Sequence, residues 1–137
     1  MAIKVMWDDA ARRIVRYDFD EQWTWEDFFA AKKQAYTMID SVAQNIAVIM
    51  LAPHNVSLPP NMLTHGLSAL RNKHPNTILV VFVITKPFLR AMLTTMSKIS
   101  RLAESSTIVV STLEEARALA AKRLSEIYDD DVTLPDR

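Results

Sequence analysis

The sequence predicts an α/β fold: a β-hairpin, then three helix–strand units, then a C-terminal helix, built on a mostly parallel five-stranded sheet. Three observations carry this expectation. Ile78 to Ile84 is an unbroken apolar run rich in β-branched residues, which reads as a central strand buried on both faces. Pro75-Asn76 before it and Thr85-Lys86-Pro87 after it leave it too short for a helix. Two N-terminal runs alternate apolar and polar residues with period two, and helical stripes fill the spaces between the later strands. Alternating strands and helices imply parallel pairing through right-handed crossovers.

In order along the chain, Ile3, Val5 and Trp7 share one side of the first strand. In the second, Val15, Tyr17 and Phe19 oppose Arg16, Asp18 and Asp20. Asp8 to Arg12 forms the turn between them, giving an antiparallel edge hairpin whose charges discourage further pairing. Thr24 caps the next helix, and Glu26 and Asp27 complement its dipole. Phe28, Ala31, Ala35, Met38, Ile39 and Val42 form its apolar stripe. Ile46 to Ala52 is a second uninterrupted apolar strand. After the irregular segment Pro53 to Pro60, a helix runs from about Asn61 to Lys73 with Leu63, Gly66, Leu67 and Leu70 inward. Pro87 sits in the first turn of a third helix, where a missing amide costs nothing. Its predicted stripe is Phe88, Met92, Met96, Ile99 and Ala103, with Glu104-Ser105-Ser106 closing it. Thr107 to Ser111 is a short strand, and Thr112-Leu113-Glu114-Glu115 a capping box for the last helix. That helix, with Ala116, Leu119, Ala120 and Ile127 inward, runs to about Tyr128. Residues 1–128 thus read as one domain, and 129–137 as an acidic, flexible tail.

Composition narrows the function classes. Acidic and basic residues balance at 16 each, which argues against a general nucleic-acid binder. With no cysteine there is no disulfide, thiolate nucleophile or cysteine metal site. The single glycine, Gly66, excludes the standard glycine-rich phosphate loops. Asp8 and Asp9 follow the start too closely for a signal peptide, and no apolar run approaches a membrane span, so a cytoplasmic protein without a transmembrane segment is expected.

The order of elements resembles the STAS domain, named for sulfate transporters and anti-sigma-factor antagonists, over roughly residues 1 to 125. More closely, the chain is similar to small bacterial STAS-like proteins. Trp23-Thr24-Trp25-Glu26-Asp27-Phe28, Met38-Ile39-Asp40-Ser41-Val42, Leu58-Pro59-Pro60-Asn61, His74-Pro75-Asn76 and Leu113-Glu114-Glu115-Ala116-Arg117-Ala118 carry that likeness. The resemblance implies strands in roughly sequential order, and binding and regulation rather than catalysis. In the phosphoregulated antagonists the loop after the third strand carries Asp-Ser-(Ser or Thr)-Gly, whose serine a partner kinase modifies. The corresponding loop here, Pro53 to Asn61, has no Asp-Ser pair and no glycine, and Ser57 is its only serine. The resemblance therefore transfers no phosphoacceptor.

The expected function is a non-enzymatic regulatory or protein-interaction module, with no catalytic residue, cofactor or metal assigned. Docking of a protein partner is expected through His54, Asn55, Ser57 and Asn61 of the loop. The alternative is a carrier of a small apolar ligand or lipid, its pocket lined by Trp25, Phe28, Phe88 and Met92. A closed apolar cavity discriminates the two: a carrier needs one of roughly several hundred cubic ångströms, and an interaction module needs none. Trp23 and Trp25 more often anchor a helix than stack a ligand. His54, His65 and His74 lack carboxylates at ligand spacing. Asp8, Asp9, Asp18, Asp20 and Glu21 read as the solvated face and ends of the hairpin. Sequential strand order would also leave one apolar sheet face uncovered, which predicts a homodimer or a partner interface.

Overall fold

The computed structural model describes residues 2–99 and 106–133. Its elements are β1 (Ile3–Trp7), β2 (Ile14–Phe19), α1 (Trp25–Asp40), β3 (Ile46–Leu51), α2 (Met62–Arg71), β4 (Thr77–Val83), α3 (Pro87–Ile99), β5 (Thr107–Val110) and α4 (Leu113–Thr133). The fold is α/β. All five strands join one mixed sheet in the order β1-β2-β3-β4-β5. β1 is antiparallel to β2, whereas β2–β3, β3–β4 and β4–β5 pair in parallel.

Side-chain alternation divides the core into two layers. Val15 and Tyr17 of β2, Ile46 and Val48 of β3 and Val80 of β4 meet Phe28, Ala31, Ala35 and Ile39 of α1. Residues of opposite parity, Ala47, Ile49, Leu79, Val81, Val83 and Val110, meet Ala116, Ala120 and Leu124 of α4. α2 and α3 lie in the α1 layer, where Met96 packs against Leu67 and Phe82. α4 therefore covers the face that sequential order was expected to expose, so that argument for a homodimer falls. Alanines one turn apart let α4 sit close to β3, β4 and β5, and the apolar run of β4 is buried on both sides within one chain.

The hairpin turn is held by Asp9, whose Oδ1 accepts from the amides of Arg13 at 2.9 Å and Ile14 at 3.0 Å. Asp8 is not solvated: its side chain is 3% exposed and pairs with Arg16 at 2.6 Å and Arg117 of α4 at 2.9 Å. Thr24 forms a full capping box with Asp27, each side chain accepting the other's amide. At α4 the box is half formed. Thr112 Oγ1 accepts from the Glu115 amide, but the Glu115 carboxylate bonds the Thr112 hydroxyl instead of its amide.

Two further expectations need correction. α4 continues to Thr133, through part of the segment predicted as a loose tail; positions 134–137 lie outside the described residues, as do Ala103, Glu104 and Ser105. α3 buries Leu89, Leu93 and Met96, while Phe88 is 72% and Ile99 54% exposed. Two apolar stripes overlap on this helix and share Met92 and Met96. Leu89 and Leu93 win because Val56 and Ile84 pack against them.

Candidate functional site

The layer between α1, α2, α3 and the sheet is not filled. It holds a cavity of about 120 Å³ whose lining runs along β4, from Thr77 at one end to Ile84 just past the other. Tyr17, Val48, Met50, Val80 and Phe82 form its floor. Close-packed interiors rarely leave voids larger than a water molecule, so a space of this size in the core layer stands out.

One end is aromatic. Thr24 starts α1 with tryptophans on both sides, and the cap fixes their entry angle. Trp23 meets Phe19 and Trp25 edge-on, each at 5.1 Å between ring centroids, and Trp25 meets Phe28 at 5.7 Å. The Pro53–Asn61 loop closes this end. Trp25 Nε1 donates to the Pro60 carbonyl at 2.7 Å, and the Ser57 amide donates to the Glu21 carbonyl at 2.6 Å. Val56 and Leu58 line the cavity from the loop, while His54, Asn55, Ser57 and Asn61 face solvent. The loop is thus a cover, apolar beneath and polar above. The indole N–H of Trp23 is buried with no hydrogen-bond partner among the described residues.

The middle is adaptable. Met50, Met62, Met92 and Met96 all reach it, and methionine fills irregular space with little conformational preference. Gly66 lies where α2 approaches α3, and a Cβ there would collide with the Met96 terminal methyl. An interior glycine costs a helix about 1 kcal/mol relative to alanine, and here it leaves room for that methionine.

The other end is polar. Lys32, Tyr36, Lys73, His74 and Thr77 line it. Lys32 Nζ stands 5.4 Å from the centroid of the Tyr36 ring, one turn on. Tyr36 donates its hydroxyl to the Asn72 carbonyl, and Lys73 Nζ donates to Ser106 Oγ. Burial lowers the pKa of both lysines, and neither has a carboxylate partner among the described residues. His74 is fixed in one tautomer: Nδ1 accepts the Asn76 amide at 3.0 Å, so Nε2 carries the proton that reaches Asp40 at 2.7 Å. Tyr17 is 3% exposed, and its hydroxyl makes no hydrogen bond to any described residue. Burial, then the neighbouring Tyr36, push its pKa up.

Of the four predicted pocket residues, Trp25, Phe28 and Met92 line the cavity and Phe88 points to solvent. The loop residues His54, Asn55, Ser57 and Asn61 do not line it. His54 Nδ1 lies 2.6 Å from Thr85 Oγ1, and the backbone of Asn61 adopts the left-handed conformation at the start of α2. Sequence reasoning missed the polar end. Lys32 sits off the apolar stripe of α1, and Tyr17 read as an ordinary core residue of β2. Among the described residues no group of three or more His, Asp or Glu could hold a metal ion, and no helix is long and apolar enough to cross a membrane. Compared with known proteins, the chain matches no family model, no curated protein and no solved structure.

Proposed function

We propose that this chain is a non-enzymatic binding module, and that the cavity between α1–α3 and the sheet holds a small apolar ligand. The cavity itself carries this reading. At about 120 Å³ the cavity is smaller than the several hundred cubic ångströms expected of a carrier, but a void of about 150 Å³ is enough to bind benzene in an otherwise packed core. Its walls are apolar and aromatic, with polar groups confined to one end, the usual composition of a small-molecule site. A longer ligand displaces methionine side chains, which move at little cost.

The test uses those methionines as reporters. Four of the chain's seven methionines, Met50, Met62, Met92 and Met96, line the cavity. On titrating benzene into protein labelled with 13C at the methionine methyls, those four signals shift and the other three stay. Ala69→Leu, on the α2 wall, fills the space. It removes the shifts and raises stability by about 0.5–2 kcal/mol, the usual yield of cavity filling. Unmoved signals, or movement of all seven, sink the proposal.

A second reading is a STAS-like regulatory module that docks a protein partner through the Pro53–Asn61 loop. Sequential strand order supports the architecture. The outward-facing loop residues and the exposed Phe88, close to His54 through Thr85, support the docking face. The loop joins the two readings, since Val56 and Leu58 touch the cavity that a ligand would occupy.

A further inference from the structure

An apolar ligand would need only the aromatic and methionine-lined part of the cavity; the polar end asks for something more. Lys32 and Lys73 are partly buried cations without a carboxylate partner among the described residues. Removing a charge from water is expensive unless an opposite charge or strong hydrogen bonds replace the solvent. Lys73 has one such bond, to Ser106, and Lys32 has the face of Tyr36. Tyr17, a buried residue on the cavity floor, adds a hydroxyl that donates to nothing described. Asp40 is engaged by His74 and is itself mostly exposed. Two cations at one end of an otherwise apolar cavity, with a tyrosine hydroxyl on its floor, leave a place for an anion attached to an apolar body.

We infer that the cavity takes a small amphiphilic carboxylic acid, its carboxylate held by Lys32, Tyr17 and Lys73 and its apolar tail directed along β4 toward Trp25 and Phe28. This rests on the cavity being a ligand site and adds the chemical class of the ligand. A carboxylate accepts at both oxygens, so it matches ammonium and phenol donors together. A neutral alcohol of the same length satisfies fewer of them and leaves the lysines without a counter-charge.

Octanoate and octan-1-ol test the assignment, with the emission of Trp23 and Trp25 in the cavity wall as readout. The wild-type protein binds octanoate tighter than octan-1-ol by about tenfold or more, as expected when charge-assisted hydrogen bonds reach one head group and not the other. Lys32→Met brings the two affinities together, and Lys32→Arg restores the preference. Tyr17→Phe, which keeps the ring in place, reduces the preference severalfold and covers the case in which Lys32→Met fails to fold. Equal wild-type affinities overturn the carboxylate assignment while leaving an apolar site. A wild-type emission that responds to neither compound overturns the site as well.

Discussion

Arg12 closes the β1–β2 turn with φ at 58°, in the left-handed region, and its side chain is exposed. The left-handed conformation costs a residue with a Cβ roughly 1–2 kcal/mol, while glycine adopts it freely. Arg12→Gly keeps the bonds that matter locally, because Gln44 Nε2 donates to the carbonyls of Ala11 and Arg12 and not to the side chain. Part of the relief is offset by the extra freedom of glycine in the unfolded chain. The expected result is a gain of about 0.5–1 kcal/mol, read as a higher urea midpoint at unchanged slope. A lower midpoint would show that the Arg12 side chain itself supports the turn. Asn61, at φ 63°, is the one other described residue with positive φ, and asparagine tolerates that conformation better than arginine.

At the scale of elements, α1 orders the site. Its cap fixes Trp23 and Trp25, its middle supplies Phe28 and Lys32, and its end brings Asp40 to His74. Thr24→Ala removes the acceptor of the Asp27 amide and is expected to cost about 1 kcal/mol, with Thr24→Ser close to wild type. Thermal melts check the stability; a Trp emission shift in Thr24→Ala at low temperature checks that the aromatic end loosens with the cap. Equal melts for all three proteins would mean that tertiary packing alone sets the start of α1. Much of this element was legible in the sequence. Thr24, the acidic first turn and the Phe28–Ala31–Ala35–Ile39 stripe are local signals, and the structure buries all four of those apolar residues. α3 was not legible to the same degree, because a helix with apolar residues on two adjacent stripes does not declare which one faces inward. Val56, more than thirty residues upstream of Leu89, decides it. The polar end of the cavity shows the same limit. Lys32, Tyr17 and Lys73 come from different parts of the chain, and only the paired strands and packed helices bring them to the wall of one cavity.

Across the whole molecule, the sheet separates α4 on one face from α1–α3 on the other, and that division was hidden from the sequence. Strand order was legible from the succession of apolar runs, but no local pattern says that the last helix crosses to the opposite face. Asp8 helps secure that crossing, joining the hairpin to Arg117 of α4 through bonds of 2.9 Å to each carboxylate oxygen. Burial alone would raise the Asp8 pKa; hydrogen bonds and charge from Arg117 and Arg16 together outweigh it and hold the value below its ordinary 3.8. A carboxylate whose folded pKa is depressed contributes stability at pH above its unfolded value, and loses it as pH falls through the folded one. The Asp8 contribution is therefore fully present at pH 7 and begins to fade below about pH 4. Asp8→Asn should melt below the wild type at pH 7, with the gap closing as pH falls toward 3 because protonation removes the same charge from the wild type. Melting curves from pH 7 to pH 3 measure it. A constant gap across that range would mean that Asp8 acts by shape and hydrogen bonding alone. A gap that closes would make the ion pair between the two ends of the fold part of what holds α4 over the sheet.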